Sequence, residues 1–166
     1  MELMDLVRDE VAEGHRMLDG VMNEMEQKNV IWEPGGTANN IGQLLAHVVS
    51  GQDAAVNMAL EGGQPIFDKG GWAAKTGIPA NRREIWQKDW SLNLDAFLQY
   101  KALVWENVEG YFASAKPADF DREVEWVGRT QPAWWVVRQV IINHILLHSG
   151  EMSTLKGIQG LKGLPF

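Results

Sequence analysis

Cysteine is absent from the chain. That excludes a disulfide framework, thiolate metal ligands and a cysteine nucleophile, and it fits a reducing cytoplasm. A basic excess is also missing. The net charge is −7 and the isoelectric point is near 5.1. No Lys/Arg cluster interrupts that balance, so the basic face that nucleic acid requires is not there. No apolar run reaches the length of a membrane span without a charge or glycine inside it. The N-terminal stretch MELMDLVRDEVAEGHR carries acids where a secretion signal would carry bases and then an apolar run. Together these absences predict a cytoplasmic protein that binds neither nucleic acid nor membrane. Internal repeats, low-complexity tracts, a Gly-x-Gly-x-x-Gly fingerprint and a Gly-Lys-Ser/Thr phosphate loop are absent as well.

Apolar residues make up 45% of 166 residues, enough for one sizeable core, and the chain is read as one domain over residues 1–166. Hydrophobic residues recur at threes and fours in four stretches. The first runs from about Glu2 to Gln27, with Met4, Val7, Val11, Leu18, Met22 and Met25 on one face. The second opens at Asn39 or Asn40, either of which can cap it, and stops at Gly62–Gly63. The third covers Ser91–Ser114 and ends at Pro117. The fourth starts near Pro132, with Thr130 expected as its N-cap and Gly157 or Gly160 as its C-cap. Three connections separate them: Lys28–Ala38, Gln64–Asp89 and Lys116–Arg129. All three are read as irregular, except for a short helix through Trp90 that Asn81 would cap. The fold class is therefore all-α, a four-helix bundle with long irregular connections.

Tryptophan is the compositional oddity, eight against two tyrosines. Trp32, Trp72, Trp86 and Trp126 lie outside the clean helical patterns. Most are read as pins that tie a connection to the core. Trp32 and Trp72 are read as the two that line a pocket.

Histidine is scarce, four in the chain, and its placement carries the functional signal. His144 and His148 sit four residues apart, a spacing that stacks two side chains one helical turn apart. They share an arc with Val137, Ile141, Glu151 and Leu155, so the pair is expected to point inward with the core face. His47 lies in the apolar stretch of the second helix. Gly51 and Ala54, one and two turns beyond it, leave room for a partner helix or a ligand. One histidine on an apolar face is usually a satisfied core residue. Two at this spacing are costly to bury without partners, on the order of 1–3 kcal/mol per unmet group. A shared divalent ion satisfies both, and His47 supplies the third ligand such ions need. His15, near the apolar stripe of the first helix, is read as a core-edge residue with one hydrogen-bond partner and is left out of the site.

The neighbours of each histidine narrow the chemistry. Ile145 comes directly after His144, where a metalloprotease would carry its general-base Glu. The residues three before His47, His144 and His148 are Leu44, Ile141 and Ile145, so the Glu-x-x-His motifs of di-iron bundles are missing. Glu151 lies one turn after His148. It is read first as the acceptor for that ring's other nitrogen, and second as a general base through water.

The segment Ile41-Gly-Gln-Leu-Leu-Ala-His47 and the run His144-Ile-Leu-Leu-His148-Ser-Gly-Glu151-Met resemble the DinB-like (YfiT-like) superfamily. The ending Leu155-Lys-Gly157 through Gly163-Leu-Pro165-Phe is similar too, so the resemblance covers most of the chain. It implies a bundle of up-up-down-down order, a homodimer, and a divalent metal, zinc or nickel, held by His47, His144 and His148. It also implies kinship with S-transferases for low-molecular-weight thiols such as bacillithiol, and with mycothiol-dependent maleylpyruvate isomerase. Two classes of function are then open. One is a metal-dependent transferase that activates a small thiol for attack on an electrophile, with Gln64–Trp90 as a wall of the substrate site and a metal-dependent hydrolase as its variant. The other is a non-catalytic metal- or ligand-binding bundle.

Overall fold

The computed structural model describes residues 2–164 and Phe166. Met1 and Pro165, the latter part of the tail that carries the resemblance, lie outside the described residues. Helix α1 spans Leu3–Met22 and buries Met4, Val11, Leu18, Val21 and Met22. It stops short of Gln27 because Glu24 takes φ +64°, which an α-helix cannot continue through. The first connection then forms one turn, α2, over Gln27–Val30. Helix α3 covers Ile41–Ala54 and runs on as a π-helical segment, Ala55–Leu60. Asn40 caps α3: its side chain accepts from the Gln43 amide at 2.8 Å, and the Gln43 side chain accepts from the Asn40 amide at 2.9 Å.

The stretch expected to be irregular after α3 holds two short helices, α4 (Ile66–Lys69) and α5 (Trp72–Thr76), and a 3₁₀ turn over Arg82–Trp86. Asn81 does cap that turn, accepting from the Arg83 amide at 3.3 Å. Helix α6 is Leu94–Ser114, capped by Asn93. After it, Lys116–Arg129 departs from expectation. A 3₁₀ turn at Pro117–Phe120 leads into an antiparallel hairpin of β1 (Glu123–Trp126) and β2 (Arg129–Pro132), with Trp126 opposite Arg129. Thr130 is therefore a strand residue and not a helix cap. Its hydroxyl donates across the ladder to Glu125 at 2.6 Å. The turn residues Val127 and Gly128 both have positive φ, as a two-residue hairpin turn demands.

The last helix is continuous through three parts: α7 (Ala133–Val136), a π-helical segment (Val137–Asn143) and α8 (His144–Ile158). Gly160, at φ +81°, closes it, while Gly157 stays inside α8. The π segment breaks the uniform arc expected from Val137 to Leu155. In α8 the deeply buried stripe is Ile145, Ser149, Met152 and Lys156. His144, His148, Glu151 and Leu155 flank it by one residue. They turn toward α3 and do not face straight into the core.

Helix α1 packs against α6 and α8, and α3 packs against the same two. Consecutive helices α1 and α3 thus sit on a diagonal, the square that an up-up-down-down bundle makes. Phe97, Tyr100, Phe112, Leu18, Leu45, Ile141 and Ile145 fill its middle. Gly14 lets α1 meet α8 closely, since a Cβ there would lie 2.7 Å from Ile145 Cγ2. Among the described residues no helix is long and apolar enough to cross a membrane.

One buried acid ties the long α3–α6 connection to this frame. Asp53 is wholly buried, and its carboxylate accepts from the amides of Ile66 and Phe67, each at 2.9 Å. It also accepts from the Tyr100 hydroxyl at 2.7 Å and the Asn57 side-chain amide at 2.9 Å. The first turn of α4 is thereby pinned beneath the segment that carries Arg82–Trp86.

Candidate metal centre

His47 on α3 and His144 and His148 on α8 come together, with one ring nitrogen from each within 4.8 Å of the others. The Nε2 atoms of His47 and His144 are 2.8 Å apart. Nδ1 of His148 is taken by the Glu151 carboxylate at 2.5 Å, which leaves Nε2 for the centre. The three rings stand nearly perpendicular in every pair, at 80°, 84° and 82°. Gly51 lies beside the His144 ring, where an added Cβ would make an ordinary contact at 3.6 Å.

Burial sets the charge state. It depresses His47 to about 4, with the nearby His148 adding to the effect and the Glu151 carboxylate opposing it. Burial depresses His144 further, to about 3, with repulsion from His47 and His148 behind it. Both imidazoles are neutral at neutral pH, so each ring has a nitrogen lone pair to offer. A metal ion needs that donor set: unprotonated nitrogens from two elements, one of them held in a fixed tautomer by a carboxylate. The three-His group is compatible with a divalent metal site. Nδ1 of His144 is buried and has no protein partner among the described residues, so no acceptor fixes that ring.

Two openings flank the cluster. A cavity of about 510 Å³ lies on the His47 side, bordered by Gly51, Met58, Arg82, Arg83, Trp86, Glu125, Trp126 and Val127. A smaller one of about 330 Å³ lies on the Glu151 side, bordered by Asn39, Leu44 and Leu155. The Trp86 ring lies against His47 with centroids 4.6 Å apart. Part of the Gln64–Trp90 stretch, through Arg82, Arg83, Ile85 and Trp86, borders the larger cavity. The tryptophans there are Trp86 and Trp126, which replace the two expected. Trp72 is core, packed on Tyr100 at 5.6 Å, and Trp32 borders neither cavity. Arg82, Arg83 and Val127 belong to no periodic pattern in the sequence. An Arg-Arg pair in an acidic chain is the one signal that could have found them.

His15 stands apart from the site. It is buried, not at the core edge, and has two partners: Glu109 at 3.0 Å and Gln52 at 3.3 Å. Its ring stacks on Trp105 at 4.3 Å. Gln52 in turn donates to the carbonyl of Ile141 in the π segment at 3.0 Å, so this network braces the helix just ahead of His144.

The fold is a helical bundle with a three-His cluster between two of its helices, and sequence comparison places it in a family. The DinB superfamily model matches residues 10–152, and the chain belongs to that superfamily. A crystal structure described as the conserved protein of locus from Enterococcus faecalis is similar in fold. Its TM-score is 0.79 at 16% identity, over 96% of this chain and 99% of that one. No curated protein matches the chain.

Proposed function

We propose that His47, His144 and His148 hold one divalent ion, zinc or nickel, and that the protein is a transferase that adds a low-molecular-weight thiol to an electrophile. The convergence of three imidazoles beside a cavity of about 510 Å³ carries this reading. When bound, such an ion supplies positive charge that brings a thiol's pKa below its free value of about 8.5. The chain has no cysteine, so the sulfur arrives with the cosubstrate. Glu151 accepts the Nδ1 proton of His148 and presents its Nε2. Trp86 lies against His47 at the mouth of the cavity. The cavity beyond Trp86 holds the electrophile.

A purely structural metal is the weaker reading, because closed sites take four protein ligands and this group has three. A hydrolase would call on Glu151 as base, yet that carboxylate is engaged by His148. The test has two arms. Elemental analysis of wild type and His144→Ala should find about one ion per chain in the first and little in the second. Metal-loaded protein should then consume a model electrophile faster than metal-free protein with bacillithiol, mycothiol, glutathione or cysteine. Equal metal content refutes the site. Equal rates with every thiol refute the transferase.

A further inference from the structure

The larger cavity has a chemical character of its own. Arg82 and Arg83 stand side by side on the 3₁₀ turn that forms its wall, in a chain of net charge −7. Neither guanidinium is well partnered among the described residues. Nη1 of Arg82 is closed off from solvent and has no hydrogen-bond partner. Its Nη2 lies 3.9 Å from the Asp68 carboxylate and 4.0 Å from the Met58 sulfur, both too far for a strong bond. The Arg82 guanidinium is also held above the Phe67 ring, 5.9 Å from its centroid. Arg83 is exposed, and its guanidinium makes no ion pair or hydrogen bond among the described residues. Glu125, the one acid on the cavity rim, is engaged by the Thr130 hydroxyl at 2.6 Å. The remaining wall is apolar and aromatic: Ile85, Trp86, Trp126 and Val127.

Val127 gives a second, independent sign. It occupies the left-handed region at φ +50°, where a β-branched residue is strained, and it is 79% exposed. Asn or Gly would form this turn without strain. A strained apolar tip overhanging a cavity is what a ligand-contacting tip looks like.

We infer that this cavity is a carboxylate-recognising substrate subsite. Arg82 and Arg83 pair with the carboxylate of a small acid, and its apolar body lies against Trp86, Trp126 and Val127. A planar guanidinium meets a carboxylate through two parallel N–H···O bonds, and the part of the Arg82 fork that reaches the cavity, with Arg83 beside it, can do so here. The inference rests on the proposed transferase in one respect only, that the acid is its electrophilic substrate. The pocket's selectivity stands on the arginines alone.

A matched pair of probes tests it, 3-phenylpropionate and 3-phenylpropionamide, titrated by calorimetry with indole fluorescence as second readout. The acid should bind about ten-fold tighter than the amide, or more. Arg82→Gln with Arg83→Gln should erase that preference, and the double lysine variant should keep part of it. Arg83→Gln alone, at an exposed position, should weaken the preference whether or not the Arg82 variants fold. His144→Ala should keep it in full. Equal affinity for acid and amide in wild type overturns the inference, as does failure of the acid to bind below about 10 mM. So does a preference that survives the glutamine variants, or one that disappears in His144→Ala, which would put the carboxylate at the histidines. Metal content, measured on the same wild-type sample, judges the metal site separately. A metal-free protein that still prefers the acid retains the subsite and loses the transferase.

Discussion

Replacing Asp53 by Asn tests how the cavity wall is held. The carboxylate accepts four hydrogen bonds, two at each oxygen. Asn supplies one acceptor and one donor group. The better orientation keeps the carbonyl toward Ile66 N and Asn57 and turns the amide toward Phe67 N and Tyr100. The Tyr100 oxygen can accept from that amide, but the Phe67 N–H then has no acceptor in a fully buried place. One unmet buried donor costs about 1–3 kcal/mol, and the surviving bonds lose the strengthening of the charge. The expected loss is about 2–3 kcal/mol. For a chain of this length that is a fall in Tm of roughly 4–12 °C. Asp53→Ala should fall further, because both the Ile66 and Phe67 amides lose their acceptor. Thermal and urea unfolding at fixed metal content measure both variants. If Asp53→Asn melts with the wild type, the carboxylate does not hold α4, and the placement of Arg82–Trp86 needs another cause.

Further outcomes are expected from the same physics. Glu151→Gln should weaken metal affinity by about ten-fold, read by competition with a chromophoric chelator, and no change would show that Glu151 does not orient His148. Metal-free protein should lose stability as pH falls. The depressed His47 and His144 take up protons less readily when folded than when unfolded, so their contribution is complete above about 6.5 and is lost toward about 4 and about 3. Denaturant midpoints across that range measure it, and a flat profile refutes the depressed values. Val127→Asn should raise stability by about 1 kcal/mol through relief of the left-handed valine, and a lower Tm would show that the strain is absent.

The histidine cluster was legible because helical spacing is a strong signal. A pair at i and i+4 needs only the helix itself to bring it together, and His47 needed only a second apolar helix. The cavity wall was not legible, because Arg82, Trp86 and Trp126 lie on short turns and strands with no long period. The hairpin was hidden for the same reason: four-residue strands rich in Glu, Arg and Thr alternate too briefly, and a valine stands where the turn would carry Asn. Asp53 gave no warning, since one acid inside an apolar helix reads as a solvated position until its four donors are seen. The tilt of His144 and His148 off the core face was beyond a uniform 100° periodicity, because a π segment precedes them.

That π segment makes the fourth helix a rod with a phase joint. One added residue in an α-helix rotates everything beyond it by about 100°, yet the wide turns at Val137–Asn143 absorb such a step locally. Upstream, α7 packs on the hairpin; downstream, α8 carries two of the histidines. Each side can therefore take its own register, and a shift beside the hairpin need not rotate His144 and His148.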